Sequence, residues 1–127
     1  AKAAPPPNMV LLKRKDGMSA EEFRQHYETS HVAMAKRYLG HLFLDYRRNY
    51  TLATGEVVGE APNPAIADSH FDAITEIWLK DRDAWVEMQK IVGDPVIGKI
   101  FMDDEENFLD RPALRIFPCE EIVGANE

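Results

Sequence analysis

Lys13-Arg14-Lys15-Asp16-Gly17-Met18-Ser19-Ala20-Glu21-Glu22-Phe23, running on to Ser30-His31, is the stretch that decides the fold of this chain. It reads as the end of a strand, a tight turn at Asp16-Gly17 and a helix opened by Ser19. The serine oxygen accepts from the backbone N–H three residues on, while Glu22 reaches back to the N-cap amide, which makes Ser19-Ala20-Glu21-Glu22 a capping box. At about 100° per residue, Phe23, Tyr27, His31, Met34 and Tyr38 fall within an arc of roughly 80°. The helix therefore carries a titratable ring on its apolar face.

The rest of the chain is laid out around that helix. Residues 1–8 are Pro-rich and lack the apolar centre of a signal peptide, so they read as a flexible lead-in. The domain runs over 9–121, with 122–127 as a C-terminal tail. Met9 to Leu12 is a short apolar run and predicts the first strand. The helix extends from Glu21 to Leu39 and stops at Gly40. From Leu42 to Thr51 the residues alternate, which predicts a second strand with Leu42, Leu44, Tyr46, Arg48 and Tyr50 on one side and Phe43, Asp45, Arg47 and Asn49 on the other. Leu52 to Ser69 contains two glycines and two prolines and reads as a long surface loop. Phe71 to Leu79 predicts the third strand, because β-branched and aromatic residues dominate it. Asp81 to Val92 predicts a second helix with Trp85, Met88 and Ile91 or Val92 inward, broken by Pro95. A further turn or helix is expected over Val96 to Phe101, and a last strand over Leu114 to Phe117.

This β-α-β-β-α-β order is that of an α+β, ferredoxin-like fold: an antiparallel four-stranded sheet with both helices on one face. The opposite face carries Phe43 or Leu44 and has no cover within the chain, so a homodimer closing sheet on sheet is expected. A length of 127 residues fits one domain. The formal charge of −7 argues against nucleic acid as a partner, since phosphate binding needs a basic face. No window reaches the length of a membrane span, so no membrane partner is expected. The lone Cys119 suits a reducing, cytoplasmic setting.

Four blocks together resemble the EthD-domain family: Leu11 to Phe23, Ser30-His31-Val32-Ala33, Phe71-Asp72-Ala73-Ile74-Thr75-Glu76-Ile77-Trp78, and Asp103-Asp104-Glu105-Glu106-Asn107-Phe108. They occur in the family's order. The resemblance implies the dimeric α+β barrel superfamily, and relatives that include methylmuconolactone methylisomerase and fungal polyketide decarboxylases and dehydratases. It also makes Asp104 and Phe108 candidates for closing a pocket.

His31 is the first candidate for chemistry there. An imidazole can take a proton from an acidic carbon or phenol and return it elsewhere, which suits isomerisation, dehydration or decarboxylation of an enolisable ring. Asp72 is the candidate carboxylate, either setting the tautomer of His31 or acting as a second acid/base. Tyr27, Tyr46 and Trp78 are candidate aromatic walls of the substrate site, and His70 is a candidate at its mouth. Plainer readings stand beside these: His31 as a packed core residue, Asp72 and Glu76 as cross-strand partners of Arg47 or Arg48, Tyr27, Trp78 and Phe108 as core packing, and the run Asp103 to Glu106 as a solvated turn or helix start.

Other chemistries fit poorly. His26 and His31 are five residues apart, about 140° around an α-helix, so they are not expected to share a metal. Cys119 lies beside two glutamates, which raise rather than lower a thiol pKa. The glycines are too dispersed for a phosphate loop, and the helix from Asp81 to Val92 has no histidine to offer haem. The expectation is a cofactor-free, metal-free lyase or isomerase acting on an aromatic, lactone or polyketide-like carbonyl compound. A cofactor-free monooxygenase and a non-catalytic ligand-binding or accessory protein are the alternatives.

Overall fold

The computed structural model describes residues 7–52 and 71–124. Residues 1–6 of the expected lead-in, 53–69 of the predicted loop, His70 and residues 125–127 of the expected tail lie outside the described residues. The elements are β1 (Asn8–Leu12), α1 (Ala20–His26), a π-helical turn (Tyr27–His31), α2 (Val32–Leu39), β2 (Phe43–Tyr50), β3 (Ala73–Leu79), α3 (Arg82–Gly93), α4 (Pro95–Phe108) and β4 (Arg115–Pro118). The strands pair antiparallel in the order β2-β3-β1-β4, which is the ferredoxin-like arrangement expected from the sequence.

The capping box forms as read: Glu22 N donates to Ser19 Oγ and Ser19 N to Glu22 Oε1, each at 3.0 Å. Gly17 adopts a φ of +83° in the turn before it, a conformation that other residues reach only with strain. Replacing Ser19 with Ala is expected to lower unfolding stability by about 1 kcal/mol, read from the urea midpoint at constant m-value.

The helix ends at Gly40 as expected, with a φ of −57° there, and the chain passes into a 3₁₀ turn over Gly40–Leu42. Three expectations are corrected. The lead-in expected over residues 1–8 gives way to strand already at Asn8, which opens β1. In β2 the strict alternation breaks, because the pairing register shifts between Phe43 and Asp45. Such an irregularity inserts a residue and changes the phase of the side chains. Phe43 therefore packs inward with Tyr46, while Leu44, expected to share the face of Tyr46, is 62 % exposed. The third correction concerns the acidic run. Asp94 caps α4 through Val96 N and Ile97 N, Pro95 takes the first helical position where its missing N–H costs nothing, and the helix then runs through Asp103 to Glu106. The run is thus part of a long helix rather than a turn or helix start.

The core divides into two apolar clusters between the sheet and the helices. One gathers Val10, Leu12, Phe23, Tyr27, Ala73 and Phe108; the other gathers Ala35, Leu39, Leu79, Met88 and Phe101. Ile77 and Tyr46 touch both, so they mark the seam. Polar side chains collect along it.

Candidate functional site

The π turn is what builds the site. Val32 N–H reaches back to Tyr27 O, five residues away rather than four, so positions five apart lie on the same side of the helix. His26 and His31 are such a pair. The 140° separation expected from α-helical geometry does not hold, and both rings meet one carboxylate, that of Asp104 on α4. His26 Nε2 lies 2.9 Å from Asp104 Oδ1 and His31 Nδ1 lies 3.0 Å from Oδ2. Ser30 Oγ also donates to Oδ1, at 2.8 Å.

This arrangement fixes the protons. Asp104 is 6 % exposed and its ionised carboxyl only accepts. Burial alone pushes that carboxyl up, but the hydrogen bonds from His31, Ser30 and His26 outweigh it and hold the pKa at about 2 against an ordinary 3.8. Each imidazole must then present N–H to it: His31 through Nδ1 and His26 through Nε2. With Nδ1–H on Asp104, it is Nε2 of His31 that can carry a lone pair, and no hydrogen-bond partner for it occurs among the described residues. The ring of His31 is held among Tyr27, Phe101 and Phe108, with centroids 5.3–5.8 Å away. His26 stacks on Phe108 at 4.8 Å.

A second polar group lies below the helix, on the inner face of the sheet. Tyr27 OH pairs with Thr75 Oγ1 at 2.7 Å, and Tyr46 OH donates to Tyr27 OH at 3.4 Å. Burial pushes both phenols above their ordinary pKa, so they stay neutral at neutral pH. Arg48 clamps Glu28 with Nε and Nη2 at 2.9 and 2.8 Å, and Tyr50 donates to the same carboxylate. The Arg48 hydrogen bonds hold the Glu28 carboxyl at about 2, in spite of its partial burial. A bidentate arginine fixes orientation as well as charge.

The sequence-derived candidates separate accordingly. His31, Tyr27, Tyr46, Asp104 and Phe108 come together at or beside the seam. Asp72 does not join them: its Oδ2 accepts from Arg14 N at 2.8 Å and its Oδ1 lies 3.4 Å from the Arg14 guanidinium. Asp104, not Asp72, sets the tautomer of His31. Trp78 is on the outer face of the sheet, since on β3 it alternates with the buried Thr75 and Leu79 and with Ile77 of the seam. There it lies beneath the Arg47 guanidinium and donates to Glu76 Oε1 at 3.3 Å. It does not share the face of the sheet that His31 overlies. His26, Ser30, Thr75 and the Glu28–Arg48 pair were not singled out from sequence. The five-residue spacing of the histidines was a usable signal only if a π turn had been considered.

Among the described residues, no group of three or more His, Cys, Asp or Glu side chains is arranged to hold a metal ion. Nor is any helix there long and apolar enough to cross a membrane.

A helical wall with a half-buried histidine, set over a ferredoxin-like sheet, places the chain among small α+β proteins. The chain belongs to the EthD domain family, whose sequence profile matches residues 15–112. Two solved structures share the fold. A hypothetical Arabidopsis thaliana protein, At3g17210, is 13 % identical and superposes with a TM-score of 0.60 over 97 % of this chain and 93 % of that one. An EthD family protein from Bacillus halodurans is 17 % identical, with a TM-score of 0.57 over 92 % of this chain and 99 % of its own. No match was found among curated proteins.

Proposed function

We propose that this protein is a cofactor-independent lyase or isomerase that moves a proton on an aromatic, lactone or polyketide-like carbonyl compound, with His31 as the acid/base. The observation that carries this reading is the bond between His31 Nδ1 and the buried Asp104, which leaves Nε2 to exchange a proton with a ligand. Nε2 takes a proton from the enolisable carbon, the positive charge formed on the ring is stabilised by Asp104, and the proton returns at another carbon or to a leaving group. A developing enolate on the sheet side takes its hydrogen bond from the neutral Tyr46 phenol, whose O–H turns to it from the long 3.4 Å bond to Tyr27.

Deuterium uptake from D2O into the methyl group of 4-hydroxyacetophenone tests the reaction without knowledge of the natural substrate. Uptake faster with native protein than in buffer, and lost in His31→Ala, supports it. Equal uptake in the two proteins would rule out acid–base chemistry at His31.

The working unit is a homodimer closed through the outer faces of the sheets. That face presents Ile74 and Trp78 on the central strand β3, with the exposed Phe117 on the edge strand β4. An Ile74→Lys substitution is expected to turn the dimer into a monomer by light scattering while leaving the helical circular dichroism intact, because the side chain leaves the protomer's own core untouched. A native protein that is monomeric at tens of micromolar would overturn this assembly.

A further inference from the structure

Asn8 opens β1, and its side chain follows Val10 and Leu12 into the layer between sheet and helices, where the residue is 2 % exposed. Its Oδ1 is buried and has no hydrogen-bond partner among the described residues. Leaving a buried amide oxygen unpaired costs about 1–3 kcal/mol, and buried polar groups in folded proteins are overwhelmingly paired. A leucine at this position would avoid that cost.

The pairing register tells what lies above it. Asn8 is opposite Ile77, and Ile77 is opposite Tyr46, so the three form one row across the inner face at the seam of the core. The adjacent row is Val10, Thr75 and Arg48, and its Thr75 is hydrogen-bonded to Tyr27 of the helix above. Going from Tyr27 to His31 advances about one helical turn, roughly 5–6 Å, and going from Thr75 to Ile77 advances roughly 6.6 Å along the strand. The two directions agree, because both the helix and β3 run from the first apolar cluster, with Phe23 and Ala73, to the second, with Leu39 and Leu79. His31 therefore stands over the row that contains Asn8. Its ring touches Phe108 of one cluster and Phe101 of the other, as a residue above the seam must.

We propose that Asn8 is a ligand-orienting residue of the His31 site, its Oδ1 accepting a hydrogen bond from the hydroxyl of a phenolic or enolised carbonyl compound. The inference rests on the proton-transfer reading of His31 and names the ligand feature that site selects. The orphaned acceptor takes the ligand hydroxyl from the sheet side, and the acidic carbon is presented to Nε2 from below. A site built this way favours the hydroxylated compound over the same ketone without the hydroxyl, because the latter leaves the acceptor unpaired. Asn8 transfers no proton itself.

The test compares 4-hydroxyacetophenone with acetophenone by ligand-observed NMR titration of the native protein, Asn8→Leu and Asn8→Ala. The native protein is expected to prefer the hydroxylated ketone, and Asn8→Leu to reduce that preference by about tenfold, the equivalent of one hydrogen bond. The same variant is expected to unfold at a higher temperature without ligand, since the unpaired oxygen is gone. Asn8→Ala must show the same loss of preference, which guards against strain from the branched leucine. A native protein indifferent to the hydroxyl, or an Asn8→Leu that is more stable yet keeps the preference, overturns the assignment and leaves Oδ1 to a buried water. The deuterium assay on the same ketone keeps the two ideas apart. Lost preference in Asn8→Leu with undiminished exchange in His31→Ala supports Asn8 as a binding residue and removes His31 as the base.

Discussion

His31→Ala is expected to slow deuterium uptake into 4-hydroxyacetophenone by roughly 10²–10⁴-fold, the span that a positioned general acid/base contributes. The loss should fall on the exchange rate and not on ketone affinity if, as proposed, the imidazole acts on the migrating proton while the sheet side of the seam holds the ligand. Removing the ring also empties the space between Tyr27, Phe101 and Phe108, so some stability is lost with it. His31→Asn separates the two effects. An asparagine NH2 stands where Nδ1 stands and can still donate to Asp104 Oδ2 but offers no basic nitrogen, so it should recover part of the unfolding midpoint and none of the rate. The readout is the second-order exchange constant by proton NMR, with the urea midpoint measured on the same samples. A His31→Asn protein that exchanges at the native rate would leave the histidine a packing residue.

The parts of this protein that depend on local chemistry were legible from its residues, and those that depend on departures from regular geometry were not. The capping box at Ser19 and the Pro95 boundary follow from side-chain groups meeting backbone amides a few residues away. The strand order follows from the β-α-β-β-α-β sequence of elements, which packs the helices on one face of an antiparallel sheet. The histidine pair was misread because a helical wheel assumes 100° per residue, and the π turn at Tyr27–His31 breaks that assumption over one turn. The irregularity at Leu44 misled the alternation of β2 in the same way. Asp72 was preferred to Asp104 as the partner of His31 because it falls in a predicted strand facing the helix, a strand that in fact begins at Ala73, whereas Asp104 looked like one of four solvated acids. Its burial is decided by α4 running on past Phe101, a property of the whole helix and of its packing on the π turn. Asn8 gave no signal at all, since in the sequence it closes a Pro-rich lead-in, and only the structure shows it as a strand residue whose buried oxygen lacks a donor.

The same helix makes Asp104→Asn the most damaging single-atom change expected in this chain. Asp104 satisfies three donors with two carboxylate oxygens, His26 and Ser30 on Oδ1 and His31 on Oδ2. An asparagine offers one oxygen and one NH2 group, so at least one imidazole N–H faces another donor and must rotate away or change tautomer. If the NH2 faces His31, the ring moves its proton to Nε2 and loses the lone pair that the proposed chemistry needs; if it faces His26 and Ser30, two buried bonds fail together. Hydrogen bonds to a charged group contribute about 1.5–3 kcal/mol each, and the variant should lose about 2–3 kcal/mol of unfolding stability at neutral pH. The pH dependence gives the sign. The Asp104 pKa is depressed in the folded state to about 2 from 3.8, so its stabilisation is fully present above the higher value and is lost as the pH falls through that range. Glu28 behaves alike between 4.5 and about 2, but it is common to both proteins. The stability gap between native and Asp104→Asn should therefore be widest above pH about 5 and close toward pH 2, where the native carboxyl is itself protonated. Urea unfolding at a series of pH values measures it, and a gap that stays constant down to pH 2 would mean that Asp104 contributes shape to this site and no charge.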